Sequence, residues 1–263
     1  MDFYYAPDWF GRPGPYAFTL EHFLFIAIAT FLGVLAALLM RRCTRNAVEF
    51  TLVCLWAFLV VIEIWKWVVV FTRVPNDPDY PFNIETMLPL HSCSMFLYVF
   101  PFAIFSRNQS VKRAANSFLV SVNMIMGFIT MFVGFSGKHA SVFSFFGLHT
   151  LLFHAIIFIV PLIMLVTGYY KPEKKDILYG GALFLGLATI ILIFDLITGC
   201  DYMYIHDGHT FGVFKFIYEN VPWFVWTIIS VSAYLITGAA THFLILGIRT
   251  LLERKNHPKE TDR

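Results

Sequence analysis

The chain has 263 residues, 58% of them hydrophobic and 14% charged, with a mean hydropathy of +0.69, whereas soluble domains carry roughly 25% charged residues. A water-soluble fold has too little interior to hide this apolar surface, and a net charge of +2, spread between apolar runs, argues against a nucleic-acid partner. Cys43, Cys54, Cys93 and Cys200 show no CxxC spacing, which argues against a thiolate zinc knuckle or a disulfide scaffold.

The N-terminal run Met1–Tyr5 lacks the basic region that opens a cleavable signal, so the first apolar stretch is expected to act as its own insertion signal. Stretches near the ~20 residues needed to cross hydrocarbon fall at about 18–40, 49–72, 86–106, 114–136, 143–168, 177–199 and 222–248. The expectation is an all-α, polytopic membrane protein: one integral membrane domain over 1–263, built as a bundle of about seven transmembrane helices. A longer connection at about 200–221 holds Cys200-Asp201-Tyr202-Met203 and His206-Asp207-Gly208-His209. The latter reads as a polar turn, because Asp-Gly favours turns and two histidines three apart make a weak ligand set.

Lysine and arginine set the orientation, since cytoplasmic connections retain them. Arg41, Arg42 and Arg45 follow the first stretch, Arg107, Lys112 and Arg113 the third, and Lys171, Lys174 and Lys175 the fifth. The C-terminal tail adds Arg249, Arg254, Lys255, Lys259 and Arg263, so 14 of the 19 basic residues share one side. Arg12, Arg73, Lys138 and Lys215 lie opposite, with Lys66 inside the second stretch. The N-terminus is expected outside and the C-terminus in the cytoplasm of a cell-membrane protein, with Trp9, Tyr16, Tyr80 and Trp223 at the outer boundary.

At ~1.5 Å per helical residue, this orientation brings Glu63, Lys66, His91, Cys93, His149, His154 and Asp195 into the outer half, and Asn123 near the middle of the fourth span. An ionised side chain at the bilayer centre costs roughly 2.5–3.5 kcal/mol, so polar groups at one level are expected to face inward and satisfy each other. Glu63 and Lys66, three residues apart, also read as a structural ion pair.

Cys93 is the one soft nucleophile at this depth, although a buried thiol is also an inert small hydrophobe. A base from another helix would activate it. His149 and His154 are candidates, and at about 140° apart on a helical wheel they are not expected to share a role. Asp195 and Asp201 flank the outer end of the sixth span, where a carboxylate can orient a histidine, and Asp195, the deeper of the two, also reads as a cap or an interhelical hydrogen bond.

The run Leu88-Pro89-Leu90-His91-Ser92-Cys93 resembles the Leu-Pro-Leu-His-x-Cys opening of a span in the YwaF-type integral membrane family. Thr198-Gly199-Cys200-Asp201-Tyr202-Met203 is similar to a second family run, which usually has asparagine at the position of Asp201. His154, followed by an apolar run into Gly168-Tyr169-Tyr170-Lys171-Pro172, resembles the family's span-five histidine and its exit. The resemblance implies a topology. A distant eukaryotic relative, transmembrane protein 164, is a cysteine-dependent phospholipid acyltransferase, and its cysteine would fall on Cys93. Related androgen-induced lipid hydrolases use threonine and histidine.

These readings combine into an expected intramembrane lipid acyl hydrolase or acyltransferase. Cys93 is the nucleophile, His154 the base, Asp195 or Asp201 its support, and His91 an oxyanion donor. Glu63, Lys66, Asn123, His149 and Tyr202 complete the polar cluster. The partner is a membrane lipid, and no cofactor is expected. The alternatives are a zinc-dependent lipid amide hydrolase using His91, His149 or His154 with Asp195, and a non-catalytic carrier lined by Glu63, Lys66 and Asn123.

Overall fold

The structure, a computed structural model, describes residues 18–73, 88–133, 142, 145–208 and 212–256. Trp9, Arg12, Tyr16, Tyr80, Lys138, His209, Lys259 and Arg263 lie outside the described residues. The elements in chain order are α1 (Leu20–Met40), α2 (Arg45–Arg73), α3 (Phe96–Phe105), α4 (Gln109–Phe118), a π-helical turn (Leu119–Asn123) and α5 (Met124–Val133). They continue with α6 (Phe145–Val166), α7 (Asp176–Thr198), a 3-10 turn (Tyr202–Tyr204), α8 (Gly212–Glu219) and α9 (Trp223–Asn256). Among the described residues there is no strand. In lipid each backbone N–H and C=O must be satisfied within its own segment, which these apolar sequences achieve by coiling.

Among the described residues, six helices are long and apolar enough to cross a membrane: α1, α2, the continuous run Gln109–Phe132, α6, α7 and α9. The third stretch departs from the regular span expected over 86–106. Its helix, α3, has 10 residues, a rise of about 15 Å, and Leu88 to Met95 form turns ahead of it. Hydropathy counts apolar side chains and is blind to this difference in backbone. Pro89 biases Leu88 away from helix. Within α3, Pro101 offers no N–H to the carbonyl four residues earlier, and the Trp56 indole donates to that Leu97 carbonyl instead, at 3.0 Å.

The chain forms two compact units, Met1–Pro101 with Asn123–Tyr170, and Phe102–Val122 with Lys171–Arg263. In the first, α6 is flanked closely because glycines face it. A Cβ on Gly33 of α1 would strike Ile159, and one on Gly127 of α5 would strike Ile157. Small residues allow such close helix approach in membranes. His22, fully buried, fastens α1 to α5: its Nδ1 accepts from the Phe18 N–H at 3.1 Å, so its Nε2–H donates to the Met131 carbonyl at 2.7 Å. Beyond α6, the Tyr169 hydroxyl donates to Glu49 at 2.9 Å, and the Arg45 guanidinium lies 4.6 Å from the Tyr169 ring centroid. Burial and the Glu49 carboxylate push this phenol up to about 12.

The second unit joins α4 to α7 through a fully buried carboxylate. Arg113 donates to both Asp176 oxygens, at 2.8 and 2.6 Å, and Ser117 Oγ donates to the Asp176 carbonyl at 2.7 Å. At the other end of α7, Gly199 caps the helix in a left-handed conformation, φ 73°, which glycine adopts without steric cost. Met203 and Tyr204 follow at φ 58° and 54°, a region that L side chains avoid. Their backbone is over-determined: Tyr234, Ser230 and Thr227 hydroxyls on one face of α9 donate to the carbonyls of Met203, Tyr204 and Ile205, at 3.1, 2.8 and 2.8 Å.

Candidate active site

The turn before α3 carries the Leu-Pro-Leu-His-Ser-Cys run. Its backbone is held from Asn123, fully buried, at the last position of the π-helical turn. Nδ2 of Asn123 donates to the Ser92 carbonyl at 3.0 Å and to the Cys93 carbonyl at 2.9 Å. A π turn displaces side chains from their ordinary helical direction and recurs at functional sites. The depth expected of Asn123 gave no hint of this contact, because a π turn has no clear sequence signature.

Cys93 is buried, and its sulfur lies 3.9 Å from Ser94 Oγ. The imidazole with which it interacts is that of His154, on α6. His154 is 8% exposed, and its Nδ1 is 2.6 Å from the Thr150 carbonyl. A carbonyl only accepts, so Nδ1 carries a proton and the ring is oriented with Nε2 as the atom left to exchange one. That Nε2 is buried and has no aligned hydrogen bond among the described residues. The sequence reading gave the task of orienting the ring to Asp195 or Asp201, and the bond at Nδ1 goes to a backbone carbonyl instead. Thr150, one helical turn before His154, carries a role the sequence reading missed because any residue there supplies a carbonyl.

His149 has a different partner. Its Nε2 is 3.1 Å from Glu63 Oε2, its ring stacks on Phe153 at 5.6 Å, and Glu63 also forms an ion pair with Lys66. Glu63, Lys66 and His149 therefore make one group on α2 and α6 around the buried Glu63 carboxylate, wider than the two-residue pair read from spacing. His91 lies in the turn before α3. Its direction is not that of a regular helix, the geometry assumed from sequence. The first unit thus collects Glu63, Lys66, His91, Cys93, Asn123, His149 and His154.

The second unit holds the remaining candidates. Asp195 is fully buried on α7, and Tyr202 is fully buried with its ring 5.9 Å from that of Phe194. Asp201 Oδ1 accepts the amides of His206 and Asp207, at 3.0 and 2.8 Å. Asp201 is therefore the cap of the polar turn expected at His206-Asp207-Gly208. Among the described residues no group of three or more His, Cys, Asp or Glu side chains is placed to hold a metal ion.

Six span-length apolar helices among the described residues, with polar side chains buried within them, define a multi-pass α-helical membrane protein. The chain belongs to the TMEM164 family, which matches it over residues 17–244. The short motifs resembled YwaF-type proteins with transmembrane protein 164 as a distant relative, and the match falls on the latter. No curated protein and no solved structure matches the chain.

Proposed function

We propose that this chain is an intramembrane lipid acyltransferase or acyl hydrolase with Cys93 as nucleophile and His154 as general base. The observation that carries the reading is the orientation of His154. A buried imidazole whose Nδ1–H is fixed by Thr150 has its Nε2 free of any other aligned partner, and the side chain it interacts with is a thiol. Catalytic hydrogen bonds are often loose before substrate binds and tighten afterwards.

The chemistry balances without a redox partner. Cys93 Sγ forms a bond to the ester carbonyl carbon while the thiol proton moves to His154 Nε2, and the carbonyl π pair moves onto oxygen. Collapse breaks the carbon–oxygen bond to the lipid alcohol, which leaves with the proton from His154. Water or a second lipid hydroxyl then attacks the thioester, His154 takes its proton, and the thiolate departs and is reprotonated. His91 stands as a further donor near the ring. Glu63, Lys66 and His149 act as the charged wall of the site. Asp195, Asp201 and Tyr202 have no assigned step.

The donor set speaks against the zinc reading, since zinc hydrolases need three protein ligands around the metal and no such group occurs among the described residues. The distribution of lysine and arginine supports a cell-membrane protein with its N-terminus outside and the site toward the outer leaflet.

Incubating the full-length protein in phospholipid vesicles and trapping the acyl-enzyme by mass spectrometry tests the proposal. A hydroxylamine-sensitive acyl group on Cys93 is expected, lost in Cys93→Ala and strongly reduced in His154→Ala. An acyl group that persists in Cys93→Ala, or none in the parent protein, ends this reading.

A further inference from the structure

The same hydrogen bonds that fix the Cys93 backbone also orient two donors. In a planar trans peptide the C=O and N–H point in opposite directions. The Ser92 carbonyl shares its peptide unit with the Cys93 N–H, and the Cys93 carbonyl shares its unit with the Ser94 N–H. Asn123 Nδ2 draws both carbonyls toward itself, at 3.0 and 2.9 Å, so both N–H groups point away from Asn123, side by side. Neither amide donates to a carbonyl among the described residues. The Ser94 amide and hydroxyl instead approach the Cys93 sulfur.

Amides without a carbonyl partner are ordinary ahead of a helix, and these two stand out because they flank a nucleophile. These amides precede the first turn of α3, where the helix dipole favours negative charge. A helix start alone would not single out a site. The independent sign is His154, more than nine-tenths buried, whose Nε2 makes no aligned hydrogen bond among the described residues and interacts with the same sulfur.

We propose that the backbone N–H groups of Cys93 and Ser94 form the oxyanion hole of this site, and that Asn123 is the positioning residue that aligns them. This rests on the acyl-transfer reading above and deepens it. When Cys93 Sγ bonds to the carbonyl carbon, the displaced π pair leaves a negative oxygen, and two parallel amides meet that charge without reorganising. The ligand class is therefore a carbonyl that becomes tetrahedral, an oxygen ester or thioester. An epoxide or alkyl halide opened by the same thiol would gain nothing from the hole.

That difference supplies the test. Two reactions of Cys93 in the full-length protein are timed by mass spectrometry of its peptide: acylation by p-nitrophenyl butyrate, which passes through an oxyanion, and alkylation by iodoacetamide, which does not. Asn123→Leu keeps the side-chain volume and removes both donors to the carbonyls. It is expected to slow acylation by roughly tenfold to a hundredfold while alkylation stays within about twofold, since loss of one oxyanion donor costs about 10² to 10³ in rate. Ser94→Pro removes one N–H outright and is expected to show the same selective loss. If alkylation falls as far as acylation in both variants, Asn123 is only a brace for the thiol and the oxyanion assignment is overturned. Unchanged acylation overturns it equally. A parent protein that is alkylated but never acylated removes the acyl-transfer reading, and the oxyanion hole falls with it.

Discussion

His22 and His154 are both buried histidines of the first unit, and they differ in what their nitrogens meet. His22 accepts with one nitrogen and donates with the other, so α1 and α5 are tied by a ring with nothing left to give. His154 spends Nδ1 on the carbonyl one turn behind it and leaves Nε2 without an aligned partner beside a thiol. Burial alone therefore does not single out a candidate histidine, since the more deeply buried of the two is the one with both nitrogens bonded. The distinction lies in the unsatisfied valence, which costs stability and is retained where chemistry uses it.

Closed polar groups should be expensive to break, and the largest effect is expected in the second unit. Arg113→Met leaves fully buried Asp176 without its bidentate partner. The expected loss is about 3 kcal/mol, the low end for a broken buried pair, because Arg113 itself is partly exposed. Thermal unfolding in detergent measures it, and a shift no larger than that of an exposed control such as Lys174→Met would remove this group from the closed class. The middle effect belongs to His22. His22→Leu keeps the bulk but strands the Met131 carbonyl and the Phe18 amide, for an expected loss of about 2 kcal/mol by the same measurement.

The helices were legible because lipid leaves an apolar 20-residue stretch few choices. An expected depth for Glu63, Lys66, His91, Cys93, Asn123, His149, His154 and Asp195 was readable from the ~1.5 Å rise per residue. Pairing was not. His149 meeting Glu63, and His154 meeting Cys93, depend on helix rotation, which residue spacing on separate helices does not report. The turn before α3 was hidden for another reason: Leu88 to Met95 is apolar enough to pass for helix, with Pro89 the one local sign against it. His22 escaped notice because an N-terminal helix histidine looks interfacial until its partner, more than a hundred residues away, is known. Asp201 was read as a possible histidine support. Its Asp-to-amide bonds across the following turn are the local kind that aspartate favours, and the strained Met203–Tyr204 backbone held by α9 shows that a recognisable motif can be structural.

The smallest stability effect separates the two histidines. Replacing His154 by Leu removes Nδ1 from a carbonyl that already belongs to its own helix, so the backbone loses little, and it removes a buried Nε2 whose desolvation nothing repays. His154→Leu is therefore expected to change unfolding by less than about 1 kcal/mol, in either direction, where His22→Leu costs about twice that or more. Function should move the opposite way: acylation of Cys93 in the His154 variant is expected to fall by at least about a hundredfold, the scale of general-base assistance, and in His22→Leu by no more than the unfolded fraction explains. Stability and reactivity measured on the same two variants thus cross. If His154→Leu unfolds as readily as His22→Leu, its Nε2 has a structural partner after all, and the imidazole returns to the class of satisfied core histidines.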